Sequence, residues 1–187
     1  MTEYLNYLNY NSPVVLSFFF ICLGAFILNW ITKGKSNRLL FETYRSSPFN
    51  PLTYVRLFTH IIGHSDWNHL ECNFLKILLI GPMIEEKYGS INLLIMILIT
   101  AGATGIIHNL FKRNALLGAS GISFMLTILA SFVNIQQGTI PITLILIFLF
   151  YIVEEIHAFL FKRNDNVSHS GHLIGAICGC IYGIYIM

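Results

Sequence analysis

The chain has 187 residues, of which 55% are hydrophobic and only 11% are charged, and its mean hydropathy is +0.68. A soluble domain of this size carries about 25% charged residues, so the composition excludes an ordinary water-soluble globular domain. The net charge of +2 is too small to indicate a nucleic-acid partner.

Six apolar segments follow one another along the chain, and each is predicted to be a membrane-spanning helix. The first lacks the basic start and cleavage site of a signal peptide, so we expect it to be retained. A polar loop from about Ser36 to Thr53 follows it and keeps enough apolar residues to lie at the membrane interface. The predicted spans cover residues 13–32, 64–83, 91–110, 119–133 (a short one), 139–160 and 169–187.

The predicted architecture is an all-α membrane protein, a six-transmembrane-helix bundle that fills residues 1–187 as a single domain. Only helices and closed barrels satisfy the backbone in lipid, and the alternating ten-residue segments of a membrane barrel are absent. Strongly polar side chains inside such spans are costly and indicate function by default. Three places in the chain carry them.

The first place is the start of the second span. His69 and Asn73 are four residues apart and therefore share one face of a helix. Their side-chain donors would point at one spot, as the stabilisation of an oxyanion requires. Interfacial polar residues at a helix start would give the same pattern. Histidines at 60, 64 and 69 could also bind zinc, but their spacing is irregular and no His-Glu-x-x-His is present, so no metal is predicted.

The second place is the string Gly118-Ala119-Ser120-Gly121, which opens the fourth span. Glycines beside a serine allow a tight turn and the close approach of a substrate. The free N–H groups and positive dipole end of a helix start can hold an anion. Taken alone, such a string in a membrane helix is more often a packing motif.

The third place is His172, near the start of the sixth span. Glycines at 171, 175, 179 and 183 recur every four residues around it, and this ridge without side chains permits very close helix packing. A tightly packed helix whose histidine caps its own start is the alternative interpretation.

The predicted topology brings the three places to one side of the membrane. With six spans, the starts of the second, fourth and sixth lie on the same side of the membrane. A nucleophile, a base and oxyanion donors would then lie at a similar shallow depth, and these groups are the full set for acyl transfer.

The order of these motifs resembles that of the rhomboid family of intramembrane serine proteases, in its bacterial type with a minimal six-helix core. The resemblance covers the chain from about residue 50 to the C-terminus. The matching pieces are Arg56-Leu-Phe-Thr-His60, His64 with His69-x-x-x-Asn73, Glu85-Glu86-Lys-Tyr-Gly89, Gly118-Ala-Ser120-Gly121 and His172-Leu-Ile-Gly175. One departure is Val55, where the family often has tryptophan before the arginine.

The resemblance implies an intramembrane serine endopeptidase with a Ser-His dyad and no third acidic member. Ser120 would be the nucleophile, His172 the base, and His69, Asn73 and the Ser120 N–H the oxyanion hole. Asp165 is interpreted as a solvated loop residue. The remaining matched residues are assigned supporting roles, and they are Arg56, His64, Glu85, Gly118, Gly121, Gly175 and Gly179. A further group, Glu154, Glu155 and His157, is interpreted as an interfacial cap of the fifth span.

The expected partners are transmembrane protein substrates and the lipid bilayer, with no nucleic acid, metal or organic cofactor. The expected location is multi-pass in a bacterial cytoplasmic membrane. A catalytically silent rhomboid-like protein that binds membrane helices is the alternative, although the intact serine and histidine argue against it. A small transporter or channel is a third class, but no inverted repeat supports it.

The orientation in the membrane is the point on which two arguments disagree. The resemblance implies a cytoplasmic N-terminus and an active site facing outward. The positive-inside rule favours the reverse, because the other side carries only Lys87. The basic residues on the active-site side are Lys33, Lys35, Arg38, Arg45, Arg56, Lys112, Arg113, Lys162 and Arg163. We expect the family orientation, because the first loop folds at the interface and uses its basic residues as anchors.

Fusion of a fluorescent protein or alkaline phosphatase after Met187 tests the orientation. With six spans both termini lie on one side, so the family orientation predicts a fluorescent and phosphatase-negative fusion. An active phosphatase fusion would show that the charge rule is right and that the site faces the cytoplasm.

Overall fold

The protein is described by a computed structural model that covers residues 9–133, 139–161 and 168–185. Over these residues it is helical, apart from an isolated antiparallel bridge between Thr43 and Leu116. The helices are α1 (Pro13–Ile31), α2 (Pro51–Thr59), α3 (Trp67–Tyr88), α4 (Ser90–Phe111), α5 (Ser120–Ala130), α6 (Ile142–Ile147), α7 (Val153–Leu160) and α8 (His169–Tyr185). A π-helical turn, Phe148–Ile152, joins α6 and α7 into one continuous run, and a second π-helical turn is Asn37–Phe41.

A helix lies at the position of each predicted span. Some helix ends differ from the predicted ones because capping residues set where the helix begins and ends. The second span begins three residues later than predicted, because the Asp66 carboxylate accepts the His69 N–H at 2.9 Å and caps α3. The same helix runs five residues further, through Pro82, and ends at Gly89, whose φ of 81° favours glycine. The fourth span is shorter than predicted and ends as a regular helix at Ala130.

The first loop contains a helix that the sequence analysis treats only as polar loop and motif. Asn50 caps α2 by accepting the Leu52 N–H at 3.1 Å, and Pro51 occupies the first helical position. This Asn-Pro pair is a helix-start signal that was available in the sequence. The helix packs on α4, where a side chain on Gly105 would meet the Leu57 carbonyl oxygen at 2.7 Å.

Among the described residues, three helical segments are long and apolar enough to cross a membrane by themselves, namely Pro13–Ile31, Ser90–Phe111 and Ile142–Leu160. Of the other predicted spans, α5 has only 11 residues, or about 16 Å at 1.5 Å per residue. The six-span count therefore stays a prediction. The helices that carry the candidate site are α3, α5 and α8, and over their described residues none of the three meets the same criterion of length and hydropathy.

Backbone contact between α5 and α8 is the tightest packing between the helices described. A Cβ atom on Gly175 would overlap the carbonyl oxygen of Gly121, and one on Gly179 would lie 2.5 Å from the Met125 carbonyl oxygen. The glycine ridge predicted from the sequence thus faces α5 and lets the two backbones touch.

Two buried charged side chains fasten the ends of the bundle. Glu85 accepts the Val14 and Val15 N–H groups at 3.0 and 3.1 Å, and so neutralises the positive end of α1. At the opposite end, the Arg56 guanidinium donates to the Leu39 carbonyl oxygen at 2.9 and 2.7 Å. Each residue is only 4% exposed, and these contacts support the structural roles that the sequence predicts for them.

Replacing Gly175 or Gly179 by leucine should destabilise the protein, because the new side chain would force α8 away from α5. Overpacking of this kind costs about 1–3 kcal/mol or more, and it would also displace His172 and abolish any activity that depends on it. Thermal unfolding in detergent measures the effect. Gly24→Leu is the control, since no atom lies within 4 Å of a Cβ placed there, and equal melting temperatures for all three variants would contradict the packing argument.

Candidate active site

A cavity of about 650 Å³ opens where the N-terminal ends of α3, α5 and α8 meet. Its lining includes Ser120, His172, His69 and Asn73. The structure therefore brings together the side chains that the sequence proposes as nucleophile, base and oxyanion donors.

The turn before Ser120 is held by backbone contacts from the first loop. Thr43 and Leu116 exchange N–H···O=C bonds of 3.1 and 2.8 Å, and the Gly118 N–H donates to the His60 carbonyl oxygen at 2.8 Å. Gly118 has a φ of 114°, a conformation that side chains rarely adopt. These contacts place Ser120 at the first position of α5, where backbone N–H groups have no intrahelical acceptor.

His172 stands on α8 beside the first turn of α5. Its ring stacks on Phe124 with centroids 4.2 Å apart and an interplanar angle of 11°, and the residue is only 8% exposed. Ser168 holds the start of the helix, since its hydroxyl accepts the Gly171 N–H at 3.3 Å and its carbonyl oxygen accepts the His172 N–H at 3.1 Å. The plane of the imidazole is thus fixed by packing before any substrate arrives.

Asn73 is oriented by His64, which explains a supporting role for that histidine. His64 Nδ1 lies 3.2 Å from the Ile62 carbonyl oxygen and must donate to it, so Nε2 accepts from Asn73 Nδ2 at 3.2 Å. One amide hydrogen of Asn73 is used in this bond, and the amide has a second to offer to a ligand.

His69 lies over the glycine turn, because a Cβ atom on Gly118 would overlap its Nε2. Its Nδ1 is 3.1 Å from Ser65 Oγ. Because the single hydrogen of that hydroxyl goes to Asp66 Oδ2, the Nδ1–H of His69 donates to Ser65 Oγ, and Nε2 of the neutral ring is an acceptor. The same hydroxyl lies 2.7 Å from Asp66 Oδ2. Hydrogen bonds from Ser65 and from the His69 N–H lower the pKa of Asp66, which keeps the cap of α3 ionised.

Two of the three histidines considered for zinc point their Nε2 atoms at other polar side chains. His60 Nε2 lies 3.2 Å from Thr104 Oγ1, and His64 Nε2 faces Asn73. Within the described part of the chain, the group able to hold a metal ion is instead Glu155 with His169 and His172.

Three residues at the site were missed by the sequence analysis. Phe124 provides the surface on which His172 stacks. Its position four residues after Ser120, on the same face of the predicted helix, was the signal in the sequence that it lies beside the nucleophile. Lys76 lies 5.6 Å from the Phe124 ring centroid and lines the cavity, although the sequence places it simply inside a span. Glu155, interpreted as part of an interfacial cap, instead contacts His169 and His172. Asp165 lies outside the described residues.

A family model and several known proteins match this chain. The family model described as Rhomboid domain matches residues 51–187. "Rhomboid-like protein 11, chloroplastic" from Arabidopsis thaliana is 27% identical over 86% of this chain and 61% of its own length. "Rhomboid protease GluP" from Bacillus subtilis is 30% identical over 88% of this chain and 34% of its own length. The chain thus spans less than two thirds of the length of either relative.

Proposed function

Because the chain belongs to the rhomboid family, we propose that it is an intramembrane serine endopeptidase that hydrolyses peptide bonds in or near transmembrane segments. The observation that carries the proposal is that Ser120, His172, His69 and Asn73 line one and the same cavity. A protein of this kind acts on other membrane proteins, and the lipid bilayer is its working environment.

In the proposed reaction Ser120 Oγ attacks the scissile carbonyl carbon while its proton passes to His172 Nε2. The tetrahedral intermediate collapses, His172 returns the proton to the leaving nitrogen, and an acyl-serine ester remains. Water then attacks the ester with His172 again as base, which releases the carboxyl product and restores the serine. Hydrolysis needs this water, and the polar lining of the cavity supports its entry.

The negative oxygen of the intermediate needs donors placed where its charge develops. The Ser120 N–H at the start of α5 and the second amide hydrogen of Asn73 are the proposed donors. His69 Nε2 joins them in the tautomer that carries its hydrogen there, which requires the Ser65 hydroxyl to turn from Asp66 towards Nδ1. The positive dipole end of α5 adds to their effect.

A catalytically silent protein that binds membrane helices is the second candidate. It fits the family and the distant relatives equally well, but it gives no reason for a serine, a histidine and amide donors to share one cavity. As to location, an integral membrane protein is consistent with the three apolar helices. We propose a bacterial cytoplasmic membrane with the site facing outward.

Ser120→Ala and His172→Ala should each abolish cleavage of a transmembrane reporter substrate and labelling by a fluorophosphonate probe, with the fold intact. Residues that act as one unit are not additive, so the double variant should be no worse than either single one. Ser131→Ala, beyond the far end of α5, and His157→Ala, at an exposed position of α7, are the controls. Substantial cleavage by purified Ser120→Ala would exclude the serine mechanism, and an inactive, unlabelled wild type would favour the silent binder.

Asn73→Ala should be milder than Ser120→Ala. Loss of one oxyanion donor costs about 10²–10³ in kcat, and two other donors would remain. Steady-state kinetics with the reporter substrate measure the effect, with Asn92→Ala as the control because its amide donates to Tyr88 O at the far end of α3. Complete inactivity at normal expression and melting temperature would contradict a role limited to the oxyanion.

A further inference from the structure

The carboxylate of Glu155 lies between His169 and His172, at the start of α8. Its Oε2 lies 2.6 Å from His169 Nδ1, and its Oε1 lies 2.9 Å from His172 Nδ1. The three side chains are largely shielded, with 14% of the glutamate and 10–11% of the histidine side chains exposed. An acidic side chain at this depth is costly unless it is paired, so the pairing calls for an explanation.

The contact to His169 is aligned as a hydrogen bond. The contact to His172 is as short, but the carboxylate oxygen lies off the direction of an aligned hydrogen bond from Nδ1. The carboxylate is therefore placed to attract a hydrogen on Nδ1, and a small rotation of either group completes the bond.

The distances favour direct contact over a shared metal ion. Two ligand atoms on a tetrahedral zinc ion, each about 2.0–2.1 Å from the metal, stand about 3.3 Å apart. The observed 2.6 and 2.9 Å are shorter than this and match hydrogen-bonded nitrogen and oxygen.

The position of the carboxylate bears on which nitrogen of His172 carries the proton. An imidazole whose Nδ1–H faces a carboxylate keeps its lone pair on Nε2, which is the nitrogen that a base must present to the nucleophile. The stack on Phe124 fixes the ring plane, but it does not distinguish the two nitrogens. A negative charge beside Nδ1 supplies that distinction and also stabilises the imidazolium formed during attack.

We propose that Glu155 is the positioning residue of the base, so that Ser120, His172 and Glu155 form a serine–histidine–glutamate relay instead of a dyad. The proposal rests on the proposed function, since it assigns a partner to the base of that reaction. His169 shares the carboxylate and fixes it in place from the other side.

The first test is kinetic and compares Glu155→Gln, Glu155→Asp and the neighbouring Glu154→Gln in the full chain. Loss of the carboxylate should lower kcat about 10- to 100-fold, less than the about 10⁴-fold of a fully buried triad aspartate, with KM and melting temperature nearly unchanged. Glu155→Asp should recover part of the rate, and Glu154→Gln should behave as the wild type. Full activity of Glu155→Gln, in a preparation where Ser120→Ala is inactive, would overturn the relay but leave the protease standing. Cleavage by Ser120→Ala would refute the protease itself.

The second test reads the tautomer directly and does not depend on the variant folding. Nitrogen-15 NMR of histidine-labelled wild type, at a pH where the imidazole is neutral and with His172→Ala for assignment, should show hydrogen on Nδ1 and none on Nε2. Glu155→Gln should give a mixture of the two tautomers. Hydrogen on Nε2 in the wild type would overturn the proposal. A wild-type rate that falls on dialysis against EDTA would do so too, because the three side chains would then hold a metal ion.

Discussion

Gly175 lies so close to α5 that even a methyl group there would overlap the carbonyl oxygen of Gly121. Ser120 precedes Gly121 by one residue and His172 precedes Gly175 by three, so the proposed nucleophile and base flank this contact. Their separation is set by two backbones in van der Waals contact, which deform less than side chains do. A displacement of about 1 Å can cost 10²-fold in rate, and a backbone contact meets that demand better than a pair of mobile side chains.

Buried polar contacts elsewhere fix the helices that surround the contact between α5 and α8. Glu85 ties the end of α3 to the start of α1, and Arg56 ties α2 to the π-helical turn Asn37–Phe41. Both are buried charges with strong hydrogen-bond partners, which is the condition under which a charge is tolerated away from water. Helices α1 and α4 and the run Ile142–Leu160 have the composition to face lipid. The helices of the site, α3, α5 and α8, can therefore be surrounded by them and need not face lipid themselves.

The separate ingredients of the site were readable in the sequence because each has a local physical cause. Apolar length predicts membrane helices, glycines spaced by four predict a close helix contact, and a serine between glycines predicts an accessible helix start. The placement of His69, Asn73, Ser120 and His172 at like ends of alternate helices also followed from counting spans. Helix α2 was predictable from Asn50-Pro51 as well, although the stretch from about Ser36 to Thr53 was interpreted as a polar loop at the membrane interface.

The sequence by itself determined the class of protein, the family resemblance and the residues proposed for the chemistry, since these depend on composition, periodicity and spacing. Only the tertiary structure decided that Glu155, on α7, meets His172, on α8. The spacing of two residues along different helices carries no information about their distance, and an acidic residue near the end of a span is usually solvated. The same holds for the way His64 orients Asn73, because it depends on how the loop before α3 folds back on that helix.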